Sequence, residues 1–96
     1  MIVKILGKRN GLYMIEEKKS LGKYFLVNGL TLIKTDNNVY TELSTGFKVE
    51  GDRKRIIQII NNKSKVEIEE AIGKGQRVLK EIGYEYPLNV IKDKGE

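Results

Sequence analysis

Apolar residues alternate with polar ones at a period of about two over the first half of the chain and shift to a helical period in the second half. The first half breaks into short apolar runs: IVKIL, LYMIE, KYFLV, LTLIK, VYTEL and FKVE. Turn residues separate them, in GKRNG, Asn28-Gly29, TDNN and STG. The pattern predicts six strands, over 2–6, 12–16, 23–27, 30–34, 39–43 and 46–50, joined as an antiparallel meander. Asn28 and Gly29 alone divide two of the runs, which is a strong hairpin signal because both residue types accept positive φ.

Within these strands the alternation assigns faces. Phe47 and Val49 are expected inward, with Lys48 and Glu50 outward. Residues 24–27 are apolar on both faces, which predicts a central strand. Tyr40 shares a face with Glu42 and is expected to look outward. Twist accumulates over six short strands, so the sheet either curls toward a small barrel or stays open beneath a layer of helices.

In the second half Asp52 is a good N-cap, and Ile56, Ile57, Ile59 and Ile60 form a helical stripe behind it. Ser64 and Glu67 have capping-box spacing. Ile68, Ile72, Gly75, Leu79 and Ile82 then recur at intervals of four and three, widened by Ala71 and Val78. The stripe keeps phase through Gly73 and Gly75, which predicts one helix; a break at GKG into two short helices is the alternative. Gly83 is a C′ stop, and LNVIK after Pro87 predicts a short C-terminal strand. The expected fold is therefore α+β: a six-stranded meander, two helices packed on it and a last strand. It forms a single domain over 1–96, divided into 1–50, 51–83 and 84–96.

Charge adds a direction to this picture. The net charge is +5. Residues 1–65 hold 13 Lys/Arg against 6 Asp/Glu, whereas residues 66–96 hold 5 against 7, so the basic character belongs to the first two-thirds. Basic surfaces attract nucleic acid, anionic lipid or acidic proteins. Arg53, Lys54 and Arg55 occupy a helix first turn, where the dipole prefers acids. That placement points to an anionic partner or to solubility. Lys8 and Arg9 sit on a hairpin tip, and Lys18, Lys19 and Lys23 surround the loop EKKSLG. These eight cations are the candidate nucleic-acid contacts.

Composition narrows the chemistry. The chain has no cysteine and no histidine, which removes thiolate chemistry, most zinc sites and the commonest general base. No cofactor and no metal are expected. An enzyme would need Glu42 and Lys48, on adjacent strands, with Asp36 as a metal-dependent nuclease cluster. GKGQR lacks the spacing of a phosphate-binding loop. The start MIVKILGKRN is broken by Lys4 and lacks the apolar core of a signal peptide, and no run approaches a membrane span, so a cytoplasmic location is expected.

Residues 78–96, VLKEIGYEYPLNVIKDKGE, resemble the end of a winged-helix DNA-binding domain, through Leu79, Ile82, Gly83, Tyr84, Lys94 and Gly95. RKRIIQIINN is similar to the first helix of that fold. The resemblance implies DNA contact through Lys74, Gln76, Arg77 and Lys80, with GKG as the turn between two truncated helices. It covers under half of the chain, and no family is assigned from it.

The function expected from all this is a small non-enzymatic protein that binds nucleic acid or a nucleoprotein through a basic patch. The alternative is an accessory or inhibitor protein of the phage or mobile-element type, anti-CRISPR-like, that blocks a nucleic-acid enzyme by protein–protein contact. Exposed strand edges also permit a homodimer.

Overall fold

Three asparagines with positive φ, Asn10, Asn28 and Asn38 (52°, 49° and 55°), turn the chain back on itself. Gly11 and Gly29 follow the first two at 79° and 80°, so both pairs make the tight turn that matches strand twist. In the computed structural model, which describes residues 1–91, these turns organise six strands: β1 (Ile2–Arg9), β2 (Leu12–Lys19), β3 (Phe25–Val27), β4 (Leu30–Asp36), β5 (Val39–Glu42) and β6 (Lys48–Glu50). Two helices follow, α1 (Arg53–Asn61) and α2 (Lys65–Glu81). The fold is α+β, and its sheets are open rather than closed into a barrel.

The strands form two antiparallel sheets, not one meander: β1–β2 alone, and β3–β4–β5–β6. The break falls after β2. Leu21 donates its N–H to the Lys34 carbonyl at 2.8 Å, so the connecting loop is tied beside the end of β4 before β3 begins. β3 is consequently an edge strand, not the central strand its apolar run predicts. Its two apolar faces have separate fates. Phe25 and Val27 pack toward α1, whereas Leu26 stays 70% exposed.

The four-stranded sheet lies between the β1–β2 hairpin and the helices. On one face Ile33 and Leu43 pack with Val3 and Ile5 of β1. On the other, Val27, Leu32 and Tyr40 pack with Ile56 and Ile60 of α1. Tyr40 is therefore 8% exposed, not outward. Its neighbour on that face, Glu42, is misleading as a surface marker because its charge is satisfied internally. A third cluster joins Leu6 of β1 to Val78 and Leu79 of α2 and to Leu88.

Both helix starts follow the sequence signals. Asp52 accepts the Arg55 N–H at 2.9 Å. Ser64 and Glu67 close the reciprocal capping box at 3.1 and 2.8 Å. α2 runs unbroken through Gly73 and Gly75, so GKG is no interhelical turn, and among the described residues the two truncated helices of the winged-helix resemblance do not form. A β-carbon at Gly75 would collide with Thr45, which places α2 against the turn between β5 and β6. At the other end, Gly83 (φ 84°) and Tyr84 return N–H groups to the Lys80 and Leu79 carbonyls, closing a Schellman motif.

The expected C-terminal strand does not form over 88–91; residue 92 onward lies outside the described residues. Leu88 and Asn89 instead donate single backbone bonds to the Ser44 and Leu43 carbonyls. The Asn89 side chain supplies the rest: it accepts the Lys4 N–H at 2.7 Å and donates to the Lys4 and Leu43 carbonyls. A side-chain amide thus bridges the two sheets where a strand pairing was expected.

Candidate nucleic-acid interface

The eight candidate cations divide between the two ends of the molecule. β5 has the β4–β5 turn at its start and the β5–β6 turn at its end, and these mark the poles. Lys18 reaches the β4–β5 turn directly, with its Nζ 2.7 Å from an Asp36 carboxylate oxygen. The start of α1 is tied to the same turn, because Gly51 donates to the Asn38 carbonyl at 2.7 Å. Arg53 lays its guanidinium over the Phe25 ring at 4.3 Å, which brings the helix start to the beginning of β3. Lys23 lies two residues before that ring.

Lys18, Lys19, Lys23, Arg53, Lys54 and Arg55 are therefore gathered at one pole, and all six side chains are exposed. Lys8 and Arg9 are not with them. Leu6 donates to the Gly46 carbonyl at 2.8 Å, which directs the β1–β2 tip toward the β5–β6 turn. The strand from Leu12 to Lys18 spans roughly 20 Å. At that far tip Lys8 lies over the Tyr13 ring at 5.0 Å, and Arg9 pairs loosely with Glu16 at 3.7 Å.

Two cations outside the eight lie toward the basic pole: Lys34, and Lys48 of the nuclease reading. Lys34 lies opposite Tyr40, near the end of β4. Lys48, on β6, is close enough to Asp36 to help hold its carboxyl down. The position of Lys34 beside the TDNN turn was readable; that Lys48, which follows the STG turn, would come within reach of Asp36 was not.

Electrostatics at this pole are set by hydrogen bonds. Asp36 has its pKa lowered first by the Lys18 ammonium and then by the Asn37 N–H, and Lys18 is correspondingly raised by Asp36. Asp52 is occupied with its cap. Glu17 and Glu50 lie beside this pole as well, but the first turn of α1 carries no acid. The amide ends of α1 add partial positive charge to the same place.

The residues of the nuclease reading are arranged differently. Glu42 is 6% exposed, and its carboxylate accepts four hydrogen bonds, from the N–H and hydroxyl of both Ser44 and Thr45, at 2.7–3.0 Å. It braces the β5–β6 turn. Lys48 pairs with Thr41, one residue away in register, and so lies on the opposite face of the sheet from Glu42. Among the described residues no three acidic side chains converge as a metal site. Among them, too, no helix is long and apolar enough to cross a membrane.

A cleft of about 680 Å³ lies at the other pole, between the β3–β4 turn, the first half of α2 and residues 86–91. Leu30, Leu43, Ile68, Ile72, Pro87 and Val90 make it mainly apolar. None of the eight candidate cations lines it.

No protein-family model, curated protein or solved structure matches the chain.

Proposed function

We propose that this chain is a small non-enzymatic binding protein that takes nucleic acid, or a nucleoprotein, against its basic pole. The observation that carries the reading is the convergence of two separate cation groups. The Lys18–Asp36 pair and the Arg53–Phe25 stack bring loop and helix together. Backbone-tracking contacts of this kind release condensed counterions. Affinity for a short DNA duplex, read by fluorescence anisotropy, is expected to fall by about 10³ between 50 and 200 mM salt if some six phosphates are contacted. Affinity independent of salt overturns the reading.

The alternative is an accessory or inhibitor protein of the phage type that blocks a nucleic-acid enzyme by protein contact. Leu21, Tyr24 and Leu26 favour it, being large apolar side chains 52%, 45% and 70% exposed beside the cations. Complex formation with a purified nucleic-acid enzyme that persists after nuclease treatment supports this alternative; loss of the complex with the nucleic acid supports the first reading.

A further inference from the structure

β3 is an edge strand with a defined polarity of its hydrogen-bonding groups. Val27 and Leu30 flank the two-residue turn, and Leu26 pairs with Thr31. The Thr31 carbonyl accepts the Leu43 N–H at 2.9 Å, so the Thr31 backbone faces β5. In an antiparallel ladder the partner of such a residue also turns its amide and carbonyl away from the pair. Leu26 therefore directs both groups outward, from the open side of the sheet.

The two sides of this edge differ chemically. Leu26 lies on the face shared with Ile33, beyond the cover of the β1–β2 hairpin. Phe25 lies on the face covered by α1, where Arg53 stacks on it. Lys23, exposed in the loop that leads into β3, lies two residues before Phe25. An added strand would thus meet an apolar side chain on one face and cations on the other.

We infer that the β3 edge accepts an extended segment of a partner protein whose residues alternate between apolar and acidic, added as a fifth strand of the four-stranded sheet. Main-chain bonds to Leu26 supply the pairing, and the alternation supplies selectivity. A second copy of this chain is the weaker occupant. Its own β3 would bring another Lys23 and another Arg53 to the cationic side, like charge against like.

The test uses an alternating Val–Glu octapeptide, with a Val–Lys octapeptide as control. Val–Glu binding should slow hydrogen exchange at the Leu26 amide, and Val–Lys should bind at least about tenfold more weakly. Leu26→Pro removes the outward donor while sparing the β3–β4 ladder, since proline is tolerated on an edge with its nitrogen facing solvent. This variant should lose the peptide and keep duplex-DNA affinity, which separates strand addition from anion binding at α1. Lys23→Glu is the second variant and should reverse the preference toward Val–Lys. No Val–Glu binding, or binding with Leu26 exchange unchanged, overturns the inference. A dimer seen by sedimentation and abolished by Leu26→Pro overturns the choice of partner.

Discussion

Gly75 of α2 lies against the Thr45 side chain so closely that a β-carbon there would fall inside the Thr45 methyl contact, and 2.7 Å from its Cβ. Gly73, one half-turn earlier, has only the Arg77 guanidinium within reach, at 3.5 Å. The same substitution should therefore have opposite signs at the two sites. Gly73→Ala is expected to stabilise by up to about 1 kcal/mol through helix propensity. Gly75→Ala should destabilise by roughly 1–3 kcal/mol from overpacking, despite the same propensity gain. Thr45→Ser, which removes the methyl group and keeps the hydroxyl bonded to Glu42, should recover part of the loss. Urea denaturation of Gly73→Ala, Gly75→Ala, Thr45→Ser and the Gly75→Ala, Thr45→Ser double variant checks this.

The Glu42 carboxylate holds the β5–β6 turn by accepting from Ser44 and Thr45. Removing it leaves buried donors without acceptors, at about 1–3 kcal/mol for each group that water cannot reach. Glu42→Ala is expected to lower the urea midpoint sharply. Glu42→Gln should cost nearly as much, since its amide points hydrogens at other donors. Loss of magnesium-dependent DNA cleavage at unchanged stability would instead support the nuclease assignment of Glu42.

Much of this architecture was legible locally. Asn10-Gly11 and Asn28-Gly29 mark their turns because positive φ is a local demand, and Asp52 and Ser64 mark helix starts because a cap lies within three residues of what it satisfies. Non-local choices were not legible. Alternation shows that residues 24–27 can be buried on both faces, but not that Leu21 bonds Lys34 and leaves β3 at an edge. Tyr40 was misplaced because its face was judged by Glu42, whose partners depend on a turn conformation. The basic residues were visible on their turns, whereas their sorting into six at one pole and two at the other depends on tertiary pairing.

Acid should weaken the fold through Asp36 and Glu67. Both carboxyls titrate below their usual range, Asp36 through Lys18 and Glu67 through the Ser64 backbone and hydroxyl. Folded pKa values below the unfolded ones give stabilisation that is complete above the ordinary carboxylate range. It is lost as pH falls through the lowered values. Lys18 is raised, so its share is complete below its ordinary value and is lost only as pH rises through the raised one. Urea midpoints from about pH 6 to about pH 3 should fall less steeply in an Asp36→Asn, Glu67→Gln double variant than in the parent.

Lys54 and Arg55 stand against the dipole of α1, so binding and stability should move apart when they are neutralised. Lys54→Gln with Arg55→Gln is expected to stabilise the fold by roughly 0.3–1 kcal/mol per residue. The same variant should lose duplex affinity and flatten its salt dependence by about two units of slope. Lys8→Gln with Arg9→Gln, at the far tip, should leave that slope unchanged. Anisotropy titrations at several salt concentrations, alongside thermal melts, separate the two effects. A stability gain with no change in binding would leave the cations as solubilising charge alone.

The Asn89 side chain completes the backbone bonds of Lys4 while holding the Leu43 carbonyl. Lys4 lies in β1 and Leu43 directly follows β5, so the amide fixes how the β1–β2 hairpin sits on the four-stranded layer. Leucine of similar size would strand the Lys4 N–H and carbonyl at a half-buried site and leave the Leu43 carbonyl with only the backbone N–H of residue 89. Aspartate would be worse, because its carboxylate keeps the acceptor for Lys4 N–H but turns a second acceptor toward both carbonyls. Asn89→Leu should destabilise by about 1–3 kcal/mol, and Asn89→Asp by more at neutral pH. Part of the Asn89→Asp loss should return on mild acidification, when a protonated carboxyl can donate to one carbonyl. Amide exchange at Lys4 reads the bridge directly: it should quicken in Asn89→Leu, while exchange at Ile33 in the centre of β4 rises only as far as the global loss of stability requires.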